Sequence, residues 1–338
     1  MKKIVCLAKE FVWERPHDLF AFNHAATCIK NEQGDLLTVY SGGTFEATPD
    51  YALWMSRKIG GQWQEPKRIK YIYGMPHYNP VILTDRDKLI MYYKIGQNCS
   101  QWYTMVTESY DFGQTWTESQ EAVPDDHTSR VVTKNAILVT EDGRWIGPCS
   151  TEDAEHWDCH IEISEDKGKT WEKHSIPITH WECEMEDRDY DLIRMWKADG
   201  VIQPALWQSG ENTFHCLMRS TRGFIYRSDS TDGGKTWCEA YPTQLPNNNS
   251  GITVAQLEDK TLVLVLNPIE GNHGIRTPLS VLISEDNGAT WYGQYDLETE
   301  EGEFSYPYVI TDGKTVDVVY TWKNEKIAHC VLCVQDED

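Results

Sequence analysis

The chain is patterned as short apolar runs separated by polar turns, and five of the runs lead into the same kind of turn. YALWMSRK, WYTMVTES, CHIEISED, GFIYRSDS and LSVLISED are rich in β-branched and aromatic residues, which predicts strands. Four of them enter the pattern Ser-x-Asp-x-Gly-x-Thr-Trp, at Ser109 to Trp116, Ser164 to Trp171, Ser230 to Trp237 and Ser284 to Trp291. A fifth copy, SRKIGGQW, keeps Ser56, Gly60 and Trp63 but carries Lys58 where the Asp belongs. Successive copies begin 53, 55, 66 and 54 residues apart. The chemistry is that of a hairpin turn: Asp accepts from turn N–H groups, Gly supplies a positive φ, and Trp folds back as an apolar anchor. The carboxylates of these turns are therefore read as structural.

Upstream of each turn the same order recurs: a strand, a turn, a second strand, a loop, then the strand entering the repeat. First strands begin at His24-Ala-Ala-Thr, Tyr78-Asn-Pro-Val, Lys134-Asn-Ala-Ile, Ile202-Gln-Pro-Ala, Gly251-Ile-Thr-Val and Ser305-Tyr-Pro-Tyr. The last unit has three strands before the chain ends, and KKIVCLAKEF at the start supplies a fourth. Four-stranded antiparallel units repeated radially predict an all-β, six-bladed β-propeller, one domain over residues 1–338, its ring closed by the N-terminal strand. The long interval after the third repeat holds WECEMEDRDYDLIRMW, residues 181–196, read as an inserted loop over one face.

Composition narrows the function. With 31 Lys and Arg against 53 Asp and Glu, the net charge of −22 argues against a nucleic-acid partner. No apolar run approaches the length of a membrane helix, so no membrane partner is expected. The start has too short an apolar stretch for a secretory signal, which predicts a cytoplasmic protein with reduced thiols. The ten cysteines are then not evidence for disulfides, Cys330 and Cys333 read as core thiols, and no metal-ligand spacing or cofactor motif occurs.

In such an architecture the inner strands and the loops after them converge on one pocket. Polar groups at those positions are His24, Tyr78, Asn79, Lys134, Asn135, Gln203 and Tyr306 on the inner strands. Glu46, Lys94, Glu152, Arg219 and Asn267 follow the second strands, with Asp50 and Arg276 near the third. Lys94, Lys134, Arg219 and Arg276 predict a positive well in an acidic shell, suited to a small anionic ligand.

The repeats, known as Asp-boxes, resemble those of the sialidase superfamily over nearly the whole chain, most closely the bacterial sialidase-like proteins. CLMRSTRGFIYRSDSTDGGKTW and IRTPLSVLISEDNGATW resemble the two family segments that carry a carboxylate-binding arginine before a box, which implies that role for Arg219 and Arg276. EFSYPYVITDG resembles the segment of the nucleophilic tyrosine, implying Tyr306. GGTFEATPDYALW resembles the loop of the acid/base aspartate, implying Asp50 or Glu46. Two positions depart from the family: His24 stands where the first arginine belongs, and Gln203 where a glutamate activates the tyrosine. Gln cannot act as a base, and Glu303 and Glu152 are the replacements at hand.

The resemblance implies an exo-acting glycoside hydrolase that removes a terminal acidic sugar such as sialic acid. Arg219 and Arg276 would bind its carboxylate, Asp50 or Glu46 would protonate the leaving oxygen, and Tyr306 would stabilise or trap the oxocarbenium centre. Lys94, Lys134, Asn79, Gln203, Glu152 and Asn267 complete the predicted binding set. Two alternatives remain. One is a uronate-acting polysaccharide lyase, or a uronyl or rhamnosyl glycosidase, with His24, His77, Tyr78 and Tyr306 as acid and base. The other is a non-catalytic carbohydrate-binding propeller.

Overall fold

A computed structural model describes residues 1–13, 19–181 and 198–337. The described residues form strands and no helix. β1 (Lys2–Phe11) is followed by a first sheet of β2 (Phe22–Lys30), β3 (Leu36–Gly43), β4 (Ala52–Ile59), β5 (Gln62–Trp63) and β6 (Lys67–Lys70). β7 (His77–Asp85), β8 (Lys88–Ile95), β9 (Tyr103–Ser109) and β10 (Gln120–Glu121) form a second. The third has eight strands: β11 (Leu138–Val139), β12 (Trp145–Glu152), β13 (His156–Ser164) and β14 (Glu172–Ser175), then β15 (Asp199–Gly210), β16 (Thr213–Ser220), β17 (Phe224–Ser230) and β18 (Tyr241–Pro246). Its halves are each antiparallel and are joined in the ladder where His156 and Trp157 pair in parallel with Asp199 and Gly200. β19 (Thr253–Gln256), β20 (Leu262–Leu266), β21 (Leu279–Ser284) and β22 (Tyr292–Glu298) make a fourth. In the fifth, β23 (Phe304–Asp312), β24 (Thr315–Trp322) and β25 (Lys326–Asp336) take β1 as their fourth strand, paired from Lys2↔Asp336 to Phe11↔Ala328.

The repeated turns are held as their residue types require. Asp166 accepts from the Thr170 N–H at 2.9 Å and its hydroxyl at 2.7 Å, while Ser164 Oγ accepts from the Gly168 N–H at 2.7 Å. Asp111, Asp232 and Asp286 repeat the Thr contacts within 0.2 Å. Trp171 and Trp237 donate their indole N–H back to Gly168 and Gly234. In the degraded fifth copy, Asp35 accepts from the Gly60 N–H at 2.9 Å. These carboxylates are on exposed turns and have no part in a cavity.

Apolar faces pack sheet on sheet. Leu37, Val39 and Met55 meet Ile82 and Met91; Val81 and Tyr92 meet Trp145; Ile161 meets Phe214. Trp207 and Leu217 meet Leu264, Val281 meets Val318, and Val319 with Tyr308 meets Tyr40 and Trp54. Cys330 is buried in this core and Cys333 half-buried, and all described cysteines are free thiols. The predicted insert lies outside the described residues except for Trp181. No helix among the described residues is long and apolar enough to cross a membrane.

Four first strands share a local break that positions the site. Their registers slip between His24 and Thr27, Tyr78 and Val81, Ile202 and Ala205, and Ser305 and Tyr308. At these bulges Ala25, Asn79, Gln203 and Tyr306 have φ of 55°, 45°, 55° and 50°. Three of the four precede a proline, which disfavours helical conformations in its predecessor and makes a left-handed one costly. A bulge re-aims the side chain it carries. Here it aims Asn79, Gln203 and Tyr306 into one cavity.

Candidate active site

The cavity holds about 470 Å³ and is lined by Phe45, Glu46, Ala47, Tyr78, Asn79, Asn98, Cys99, Trp102, Glu152, Trp157, Ile202, Gln203, Arg219, His273 and Tyr306. Tyr306 sits at its polar side. Its phenolic oxygen accepts from Arg219 Nη1 at 3.2 Å and from Gln203 Nε2 at 3.4 Å. Gln203 is oriented by the same arginine, whose Nη1 donates to its Oε1 at 3.3 Å, so the amide presents a donor to the tyrosine and no base. Arg219 is almost fully buried and is fixed by Asn249, which accepts through Oδ1 at 2.9 Å and through its backbone carbonyl. The guanidinium carbons of Arg219 and Arg276 lie 5.9 and 5.8 Å from the Tyr306 ring centre.

The His24 ring packs against that ring at a tilt of 53°, centroids 4.1 Å apart. Burial, then the neighbouring Arg276, pulls its pKa down to about 3, so the imidazole is neutral at physiological pH. Arg276 itself donates to Glu303 at 2.9 Å in an adjoining cavity of about 420 Å³, which shares His273 with the first.

The carboxylates divide by environment. Glu152, at the end of β12, has a buried Oε1 with no hydrogen-bond partner. Burial raises its pKa to about 7 against the pull of Arg219, the Cys99 thiol and Lys94, with Glu46 adding to the rise. Glu46 opens onto the cavity from the loop after β3. Desolvation by the surrounding protein raises its pKa as well, opposed by Arg276 and Arg219. Asp50 does not line the cavity. Its oxygens accept from the Thr44 N–H at 2.9 Å and from the hydroxyls of Thr44 at 2.8 Å and Thr48 at 2.6 Å, and these bonds outweigh burial and lower its pKa. It shapes the loop that presents Glu46.

Three more predicted ligands are placed elsewhere. Lys94 is fully buried between sheets, donating to Thr104 at 2.7 Å, Ser129 at 2.9 Å and the Arg130 carbonyl at 2.9 Å. Lys134 lies 5.8 Å under the Tyr306 ring but spends its ammonium on the carbonyls of Ile252 at 2.8 Å and Pro307 at 2.6 Å. Its neighbour Asn135 donates to the carbonyls of Gln203 and Pro204. Together they pin the bulges of β15 and β23 and the residue before β19. Asn267 bonds the carbonyls of Pro278 and Phe304 and lines neither cavity.

The expected positive well is thus corrected. Of the four cations only Arg219 lines the main cavity, against two carboxylates, because burying an ammonium demands partners and the backbone supplied them. Sequence reasoning missed the aromatic wall of Phe45, Trp102 and Trp157, together with Asn98, Cys99 and His273. The GQNCSQWY loop after β8 was the available signal, since it occupies the same position in its unit as the Glu46 loop does in the first.

The model of the BNR repeat-like domain matches residues 34–318. A search of curated proteins finds no match. Among solved structures, a protein of unknown function from Dyadobacter fermentans shares 16% identity at a TM-score of 0.75, covering 98% of this chain and 99% of that one. The Hadza microbial sialidase Hz136 shares 16% identity at a TM-score of 0.73, covering 96% and 68%. The NanB sialidase from Streptococcus pneumoniae shares 11% at 0.70, covering 97% and 70%. The structural likeness carries the fold, and the family model covers most of the sequence. The chain belongs to the BNR repeat-like domain family, within the sialidase superfamily.

Proposed function

We propose that this protein is an exo-acting glycoside hydrolase that removes a terminal acidic sugar, with Glu152 as its proton-transferring carboxyl. One observation carries the reading: a single cavity collects Glu152, Glu46, Arg219 and Tyr306, with Arg276 beside it. An acid near pH 7 must be part protonated, and Glu152 meets that condition where Asp50, held ionised on its loop, does not. Arg219 and Arg276 flank Tyr306 and would take the sugar carboxylate through directed hydrogen bonds rather than a diffuse positive field. Glu46 would serve as the second carboxyl, and Tyr306 would stabilise positive charge at the anomeric carbon. The aromatic wall would face the apolar side of the sugar ring.

The supporting frame is one ring of six blades closed by β1, a reading favoured by six apolar clusters, five bridging successive sheets and one joining the two halves of the third. Elimination is the weaker reading, because an imidazole titrating near 3 is a poor base for a ring proton. Incubation with fluorogenic sialosides and uronides tests the proposal. Release of the free sugar supports hydrolysis; an unsaturated product absorbing in the ultraviolet, or no release at all, contradicts it.

A further inference from the structure

Three side chains meet across three strands, at the ends of β15 and β16 opposite to those that carry Gln203 and Arg219. On β15, Ser209 follows Trp207 at the bulge between Gln208 and Gly210. Trp207 pairs directly with His215 on β16, and His215 pairs directly with Asp229 on β17. Register sets His215 beside Asp229, and the bulge turns the Ser209 side chain toward His215. Ser209 Oγ lies 2.7 Å from His215 Nε2, and His215 Nδ1 is in close hydrogen-bond contact with Asp229 Oδ1. Ser209 is exposed and opens onto a cavity of about 500 Å³; His215 behind it is buried. The central cavity contains none of these residues.

The protonation pattern of the imidazole follows from its neighbours. The Trp207 indole can only donate, and it donates to Asn287 Oδ1 at 2.7 Å. The Asn287 amide must then turn its NH₂ toward His215 Nε2, 3.0 Å away. Nε2 is thereby an acceptor, shared between the Asn287 amide and the Ser209 hydroxyl, while Nδ1 faces both Asp229 Oδ1 and, at 3.1 Å, Arg227 Nη2. The Asp229 contact is the shorter and takes the Nδ1 hydrogen. Trp207 stacks on the ring at 5.1 Å and 24° and fixes its plane. Burial works against the charge of Asp229, but bonds from His215, Tyr241 and Arg227 prevail and hold its carboxyl at about 2. An exposed hydroxyl, a buried imidazole with its acceptor nitrogen toward it, and an ionised carboxylate behind the imidazole are the parts of an activated serine nucleophile.

We infer that Ser209, His215 and Asp229 form a second, acyl-transferring site that hydrolyses small neutral or cationic esters. Ser209 Oγ attacks the ester carbonyl carbon while its proton passes to His215 Nε2. The carbon–oxygen bond to the alcohol breaks and the imidazolium returns the proton to the departing oxygen. Water, deprotonated by the same imidazole, then releases the acid from Ser209. The charge preference comes from the cavity wall, where Glu141, Asp142 and Glu211 oppose Lys260. Asn287, Trp207 and Arg227 also seat the turn of the neighbouring sheet, Arg227 donating to the Asn287 carbonyl at 3.0 Å. Ser209 takes no part in that seating, which separates the chemistry from the structural role.

The test is labelling of the full-length protein with a fluorophosphonate, which phosphorylates an activated serine and expels fluoride, followed by peptide mapping. Wild type is expected to carry the adduct on Ser209. Ser209→Ala should lose it while keeping the wild-type thermal midpoint, and Asp229→Asn should slow labelling by roughly 10²–10⁴-fold. On nitrophenyl esters the same variants should lose turnover in parallel, and a cationic ester should outpace an anionic one by roughly tenfold. Absence of an adduct on wild type, or an adduct formed at the same rate in Ser209→Ala, overturns the inference.

Discussion

Glu152 is the residue on which the proposed chemistry turns, and its behaviour follows from where β12 ends. A carboxyl with a buried, unpartnered oxygen and a neighbouring glutamate is held protonated until about pH 7. A general acid works in that form, so kcat should fall as pH rises through about 7. The same sign governs stability: the raised pKa means Glu152 favours the fold below its unfolded value and opposes it as pH passes 7. Gln203 carries a second prediction. It donates to Tyr306 and cannot take its proton, so Gln203→Glu should raise hydrolysis of an aryl sialoside by supplying the base; equal or lower rates would show that Tyr306 does not act as a nucleophile. That Gln203, Tyr306 and Arg219 are neighbours was legible, the first two from inner-strand starts and Arg219 from the end of a second strand. The engagement of Lys94 and Lys134 was not, because a sequence places a side chain in a layer without showing which carbonyls it meets.

At the scale of the element, the hairpin turn repeats four times with the same three acceptors. Asp166→Ala removes the two bonds to Thr170 and should cost about 1–2 kcal/mol, read as a lowered thermal midpoint. The carboxyls of Asp166 and Asp232 are held at about 2 by those bonds, and that of Glu162 at about 2 by Arg130 and His160 against its burial. Depressed values stabilise above the unfolded pKa near 4 and lose that contribution as pH falls toward 2, so acid unfolding should begin in this window. Glu162→Gln should shift the onset upward and cost about 1.5–3 kcal/mol, because Arg130 loses its charged bonds to Glu162 at 2.5 and 2.8 Å and keeps only the carboxylate of Asp126. The turns were legible from one motif. The bulges were not, although Asn-Pro, Gln-Pro and Tyr-Pro stand at three of them: an X-Pro pair does not announce a left-handed φ, which here is imposed by neighbouring strands and by the pins from Lys134 and Asn135.

For the whole molecule, β1 covers the edge of β25 along its length, and its loss would expose a long strand edge. Deleting residues 1–11 should lower the thermal midpoint sharply and promote aggregation, seen by light scattering; an unchanged midpoint would contradict the role given to β1. Repeat spacing made the sheet order readable in advance, since each unit needs the next to bury its apolar face. The sign of the pocket was not readable, because net charge and cation count ignore which charges are already paired. Protonation of a glycoside's leaving group by Glu152 is the proposed step. Its most direct test is the pH profile of kcat for wild type and Glu152→Gln on a fluorogenic acidic-sugar glycoside. Wild type should turn over with a limb falling above about pH 7, and the variant should lose roughly 10²–10⁴-fold together with that limb. No release by wild type, or an unchanged rate and profile in the variant, would contradict the account.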